Sequence, residues 1–295
     1  MEKKIGLVLE GGALRGLFTA GVLDVLMEKN IKVNGVIGVS AGAAFGCNYI
    51  SAQPYRVLRY NLNYCKDPRY CSVRSLIKTG DLFGAQFCYH EIPERLDPFD
   101  YNEFDRSRMD FYVVGTDVVS GKPVYHRCEN SRGDTLEWIR ASSSMPLAAR
   151  PVTIGARTML DGGISDPIPL RFFTNRGYKN NIVVLTQPRD FQKERNSVIP
   201  AVEIKLRQYP NVIDAMKIQH ALYNHQREEV FNAEQKGEAL VICPPEPLPI
   251  HRVTHNPKKL LMAYHIGRMA AQEKVEQILC FLEGIDNEAE DRQGN

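Results

Sequence analysis

Apolar positions alternate between two spacings over the first fifty residues. Ile5-Gly6-Leu7-Val8-Leu9 is an unbroken apolar run halted by Glu10-Gly11-Gly12, the pattern of a buried strand. From Gly16 to Lys29 the spacing is helical, with Phe18, Val22, Val25 and Leu26 on one face. Val33 to Val39 repeats the buried run and again stops at a glycine-bearing turn. Ala41 to Ala52 continues as an apolar helix, and Pro54 ends it or starts the next one. Strand, helix, strand, helix is the order of a parallel α/β sheet with helices packed on it.

Residues 54–105 are rich in Tyr, Phe, Pro and charge, and no single period assigns them. Phe111 to Val119 predicts a strand, turned by Ser120-Gly121-Lys122-Pro123 into Val124-Tyr125-His126 as a hairpin. Thr135 to Ser142 predicts a helix halting near Pro146. Val152 to Ile154 and Thr158 to Leu160 form a short pair around Gly155-Ala156, and Ile182 to Leu185 is a buried strand. Helical spacing returns over 211–236 and over 257–282, with a strand at Ala239 to Ile242 between them. In the last helix Leu260, Leu261, Tyr264, Ile266, Met269, Val275 and Leu279 read as core positions. From Glu288 onward the chain is polar and expected to fray.

Composition narrows the class. With 43% hydrophobic and 24% charged residues over 295 positions, the chain has material for a large core. No repeat, low-complexity segment or flexible linker divides it, so one domain over 1–295 is expected. Thirty-seven basic against 35 acidic side chains give a net charge of +2, too weak to indicate nucleic acid. Local basic patches that meet anionic lipid head groups remain compatible with that balance. The apolar run before Glu10 is too short for a signal peptide, and no stretch approaches the roughly 18 apolar residues of a membrane span. Seven cysteines without a regular framework fit reduced thiols, so a soluble cytoplasmic protein is expected.

Three segments carry candidate chemistry. In Gly38-Val39-Ser40-Ala41-Gly42 a serine has glycine two residues away on each side, as a sharp strand-to-helix turn requires. Such a turn aims the Ser40 hydroxyl outward and the Ala41 N–H at the same space, with the helix dipole behind them. The plainer reading is a tight turn in which Ser40 only caps the helix. Glu10-Gly11-Gly12-Ala13-Leu14-Arg15-Gly16 joins the first strand to the first helix. Its glycines suit an anion-binding nest, hence an oxyanion hole, with Arg15 adding positive charge. A dinucleotide loop would need glycine at position 13, where Ala13 stands, and no Gly-Lys-Ser/Thr follows for a P-loop. Asp161-Gly162-Gly163 follows a strand and in isolation reads as a hairpin turn.

Together these segments resemble the patatin-like phospholipases, particularly the bacterial ones. The likeness lies in Ile5 to Asp24, Gly38 to Gly42 and Asp161-Gly162-Gly163, in that order. It extends to Ala141-Ser142-Ser143-Ser144-Met145-Pro146, similar to the family's Ala-Ser-x-x-x-Pro, and to Asp166-Pro167-Ile168-Pro169. It covers about residues 5–190, leaving 191–295 as a C-terminal helical extension packed on that catalytic region. The resemblance implies a three-layer α/β/α fold with a mainly parallel central sheet, and a serine acyl hydrolase with a Ser40–Asp161 dyad. It implies an oxyanion hole from Gly11, Gly12, Ala13, Arg15 and Gly16, completed by Ala41, and no metal or organic cofactor. Ala13 departs from the family, which commonly has a third glycine there; its methyl crowds the substrate or shifts one N–H donor.

The implied substrate is an acyl lipid or other ester, with transient peripheral membrane contact and no nucleic acid. A conventional triad would take a histidine after Asp161. His220, His225, His251, His255 and His265 are available, none in a telling context. His251 and His255 have the spacing of a zinc pair but lack an intervening Glu and lie between Pro249 and Pro257, so they read as loop residues. The aromatic segment Leu82 to Tyr89 reads as core, or as a wall or lid for an acyl chain. A catalytically silent lipid-binding protein and a nucleotide-binding protein are the competing classes.

Overall fold

The computed structural model of the protein describes residues 4–291, with side chains as far as Glu283. Eight strands form one sheet: β1 (Lys4–Leu9), β2 (Gly35–Val39), β3 (Asp110–Asp117), β4 (Pro123–Arg127), β5 (Val152–Ile154), β6 (Arg157–Asp161), β7 (Tyr178–Val184) and β8 (Ala239–Ile242). Their order is β5-β6-β3-β2-β1-β7-β8, with β4 also paired to β3. The strands from β3 to β8 along that path run parallel. β4, β5 and β6 pair antiparallel.

Successive side chains of a strand point to opposite faces. Leu7, Leu9, Val36, Phe111 and Val184 enter a core with Phe18 of α1 (Leu17–Glu28), Phe45 of α2 (Ala41–Ile50) and Leu260 of α10 (Pro257–Gln272). Val8, Ile37, Val114 and Val183 enter a second core with Phe173 of α7 (Leu170–Asn175) and Tyr223 and Val230 of α9 (Pro210–Gln235). The sheet is thus covered on both sides, which is why β1, β2 and β7 contain continuous apolar runs. The fold is three-layer α/β/α with a mainly parallel sheet.

The segment without a readable period holds α3 (Arg56–Tyr64), α4 (Val73–Thr79), a π-helical stretch Phe87–Leu96 containing Pro93, and α5 (Tyr101–Arg106). These elements are short and tied by tertiary bonds. Buried Arg56 donates to the Asp97 carbonyl (2.6 Å) and to Asn48 Oδ1 (2.7 Å). A π-helix bonds i to i+5, so a 3.6-residue template misses it. α6 (Thr135–Ser142) matches its expected span, while α8 (Ile199–Lys205) was not expected.

The single helix expected over 257–282 is two, α10 and α11 (Val275–Asp291). They are broken where the Lys274 N–H turns back to the Ala271 carbonyl (3.0 Å). No Pro or Gly marks the break. Leu260 and Tyr264 are buried as expected, whereas Met269 and Leu279 face solvent. Of the stretch expected to fray from Glu288, residues 288–291 close α11 and 292–295 lie outside the described residues. Among the described residues no helix is long and apolar enough to cross a membrane.

Candidate active site

Sheet topology brings Ser40 and Asp161 together. Val114 of β3 pairs with Val39 on one edge and with Tyr125 of β4 on the other. Gly115 pairs with Val124 of β4 and with Asp161. Since β4 keeps one edge throughout, β2 and β6 share the opposite edge, approaching from opposite directions. Their carboxyl ends meet there, with Asp161 ending β6 and Ser40 following β2.

Ser40 adopts φ 54°, ψ −120°, a strained conformation that persists only where its surroundings enforce it. A Cβ at Gly38 would lie 2.5 Å from the Ala43 nitrogen, and one at Gly42 would lie 2.3 Å from the Leu9 carbonyl oxygen. Only glycine fits either position. The Ser40 N–H donates to Ser142 Oγ (2.8 Å), and its carbonyl accepts from the Ala43 and Ala44 N–H groups (3.0 Å each). Although Ser40 holds the N-cap position of α2, its side chain makes no capping hydrogen bond. The hydroxyl is not spent on the helix.

Asp161 is buried, its N–H donates to the Ser144 carbonyl (2.9 Å), and its Oδ1 accepts from the Gly163 N–H (2.7 Å). Burial pushes its carboxyl up from the ordinary 3.8 to about 6, against the opposing pull of the Gly163 N–H, the Ser40 hydroxyl, Arg252 and Lys193. One segment, Ser142 to Ser144, therefore anchors the backbones of both Ser40 and Asp161. It belongs to the Ala-Ser-x-x-x-Pro element, and its positioning role had no signal in the sequence beyond that resemblance.

The glycine loop backs onto Ser40: a Cβ at Gly11 would lie 3.0 Å from Ser40 Cβ. Leu14 and Arg15 N–H groups are engaged, with the Arg252 carbonyl (3.3 Å) and the Gly12 carbonyl (3.1 Å). Those of Gly11, Gly12 and Ala13 have no acceptor among the described residues, nor has that of Ala41, which begins α2. Ala13 has φ 49°, in the region where glycine is the easy residue. Gly16 lines neither cavity at the site and instead packs on Phe45 and Ala41. Glu10, unassigned from sequence, is buried and accepts from the Thr186 N–H (2.5 Å) and the Tyr223 hydroxyl (2.6 Å), pinning the loop's start.

Two cavities meet at Ala13, Ser40 and Met145. One, of about 120 Å³, is apolar and walled by Leu14, Ala44, Tyr60, Phe83, Tyr89 and Leu136. The other, of about 490 Å³, mixes apolar walls with charged groups and holds Gly11, Gly12, Arg15, Asp161, Lys193 and Arg252. The Leu82–Tyr89 segment divides: Phe83 and Tyr89 wall the apolar cavity, while Phe87 packs edge-on against Tyr64 (5.4 Å). No histidine lines either cavity among the described residues, and His255 Nδ1 lies 2.7 Å from the Cys65 carbonyl. Lys193 and Arg252 had no motif to reveal them.

Comparison with known proteins follows the same lines. A family model described as Patatin-like phospholipase matches residues 7–174, more than half the chain. A second, described as a domain of unknown function (DUF6363), matches residues 209–283. The uncharacterized protein YjjU of Escherichia coli (strain K12) is 30% identical over 191 residues, 63% of this chain and 52% of that protein. The uncharacterized NTE family protein Rv1063c of Mycobacterium tuberculosis is 24% identical over 167 residues, 57% and 44% of the two chains. Lysophospholipase NTE1 of Cryptococcus neoformans is 24% identical over 196 residues, 64% of this chain and 12% of that protein. The chain thus spans about half the length of the first two relatives and a small part of the third. Among solved structures, VipD from Legionella pneumophila aligns with a TM-score of 0.48 at 12% identity, over 93% of this chain and 67% of that one. On the family match across residues 7–174, the chain belongs to the patatin-like phospholipase family.

Proposed function

We propose that the protein is a lipid acyl hydrolase in which Ser40 and Asp161 form the catalytic dyad. The observation that carries this reading is the Ser40 hydroxyl, uncapped on a strained turn where the two cavities meet beside a buried carboxylate. The acyl chain lies in the smaller apolar cavity and the remainder of the lipid in the larger cleft lined by Arg15, Lys193 and Arg252. Asp161 takes the proton as Ser40 attacks the carbonyl, then returns it to the leaving alcohol; water cleaves the acyl-enzyme by the same route. A base with a pKa of about 6 is better matched to neutral pH than an ordinary aspartate. The N–H groups of Gly11, Gly12, Ala13 and Ala41 are the donors for the oxyanion, each contributing on the order of 3 kcal/mol. Arg15 adds positive charge behind them. The relative named a lysophospholipase supports an acyl lipid as substrate. Seven free cysteines support a reducing, cytoplasmic setting, and contact with the membrane would be transient and peripheral.

A fluorophosphonate probe tests the assignment. Ser40 is the expected site of labelling, and Ser40→Ala and Asp161→Ala abolish ester hydrolysis. Wild-type hydrolysis rises with pH through about 6 as Asp161 loses its proton. Hydrolysis surviving in Ser40→Ala, or lost on replacing one of His220, His225, His251, His255 or His265 in a folded protein, overturns the dyad.

A further inference from the structure

The larger cleft contains more positive charge than ester hydrolysis requires. Arg15, Lys193 and Arg252 line it, from the glycine loop, the loop after β7 and the loop before α10. Among the described residues none of these side chains has a hydrogen-bonded or ion-paired partner, and Arg15 Nε is fully buried without one. Glu10, which with Asp161 supplies the carboxylates lining the cleft among the described residues, is taken up by Thr186 and Tyr223. Burial first, and then the charge of Arg252, pushes the Lys193 ammonium down to about 8. Burial likewise lowers Arg15. Like charges gathered in a partly desolvated cleft are unfavourable until an anion supplies acceptor oxygens.

The cations are held in place. The Lys193 N–H donates to Asn224 Oδ1 (2.8 Å), and its carbonyl accepts from Asn224 Nδ2 (3.0 Å), fixing it to α9. The Arg252 carbonyl accepts the Leu14 N–H (3.3 Å), fixing it to the glycine loop. Phe191 and Tyr223 also line the cleft, with Lys193 Nζ 5.0 Å from the Tyr223 ring centre. A choline group there would add a further positive charge beside Arg15, Lys193 and Arg252.

We propose that this cleft binds the phosphate of an anionic phospholipid, with Lys193 and Arg252 as the residues that select it over zwitterionic choline lipids. The inference rests on Ser40 and Asp161 being the hydrolytic dyad. One ester carbonyl reaches Ser40 while the phosphate, a few bonds away on the glycerol, meets the cations of the cleft.

The test compares phosphatidylglycerol, phosphatidylcholine and uncharged diacylglycerol of identical chains, each in neutral detergent micelles. Wild-type kcat/KM favours phosphatidylglycerol over phosphatidylcholine by about tenfold or more, the scale of one like-charge contact between choline and the cleft's cations. In Lys193→Met and in Arg252→Gln the ratio of phosphatidylglycerol to diacylglycerol hydrolysis falls about tenfold, and Lys193→Arg retains it. A wild-type ratio near one, or variants that slow all three lipids in proportion, overturns the proposal. Failure of the wild type on every lipid defeats the dyad instead. The head-group inference is then decided by calorimetric binding of dihexanoyl phosphatidylglycerol and phosphatidylcholine, below their micellar range, to Ser40→Ala protein. Tighter binding of the anionic lipid, weakened by adding Lys193→Met, supports it; equal binding overturns it.

Discussion

Replacing Asp161 with Asn removes one charge and keeps the shape of the side chain. The carboxyl titrates at about 6 because burial opposes ionisation more strongly than the Gly163 N–H, the Ser40 hydroxyl, Arg252 and Lys193 favour it. The folded-state pKa therefore lies above the unfolded value of 3.8, and ionisation within the fold lowers stability. That loss is absent below about pH 4, develops as the pH rises to about 6, and reaches about 3 kcal/mol at pH 8, taking 1.36 kcal/mol per pKa unit. The substituted amide does not ionise, and its carbonyl still accepts the Gly163 N–H. The variant is expected to exceed the wild type in stability by about 2–3 kcal/mol at pH 8, or about 5 °C in Tm for a chain of this size. The gap narrows to about 1 kcal/mol by pH 4.5. Urea unfolding of both proteins across that range measures it, with ester hydrolysis followed in parallel and lost in the variant. A gap that does not widen between pH 4.5 and pH 8 would refute the reasoning.

Three further substitutions probe the surroundings of the dyad. Ala13→Gly relieves a left-handed alanine and is expected to stabilise the protein by about 0.5–1 kcal/mol, read by urea unfolding; destabilisation would mean the methyl packs favourably between the cavities. Ser142→Ala leaves the buried Ser40 N–H without its acceptor, at a cost of about 1–3 kcal/mol. Because Ser142 holds Ser40, the proposed nucleophile, kcat is expected to fall about tenfold with KM little changed and Ser142→Thr to restore it, a split that lost stability alone does not produce. Ala44→Leu fills the apolar cavity, so kcat/KM for long-chain esters drops at least about tenfold relative to butyrate esters. Equal losses on both would remove the acyl chain from that cavity.

The chain reveals its fold best where burial and period agree. β1 and β2 read as strands because both faces are covered, and the glycines around Ser40 are legible because the turn admits no Cβ. The meeting of Asp161 with Ser40 is a property of β3, whose edge β2 and β6 share, and no local pattern encodes it. Resemblance to a family supplied that pairing; periodicity did not. Residues 54–105 stayed unreadable because elements of six to ten residues, one of them π-helical around Pro93, lean on contacts such as Arg56 with Asp97. Gly16 looked like part of an anion nest by its place in the loop, yet its backbone serves close packing on α2.

Lys193 and Arg252 illustrate a different kind of silence. A nucleophile needs one backbone geometry, which only certain residues permit, so its neighbourhood leaves a motif. A cation that meets a phosphate needs only a long side chain ending in the right volume, and it can arrive from any loop. The family match ends at residue 174 and so contains Ser40, Asp161 and the glycine loop but neither of these cations. Arg252 and Tyr223 fall in the second matched region and Lys193 in neither. On the two proposals above, reaction chemistry and head-group choice would be carried by different stretches of the chain. Similarity to a relative through the first stretch alone carries no information about Lys193 or Arg252. The proposed lipid preference would follow from the second half of the chain, where α9 fixes Lys193 through Asn224 and the loop before α10 brings Arg252 onto Leu14.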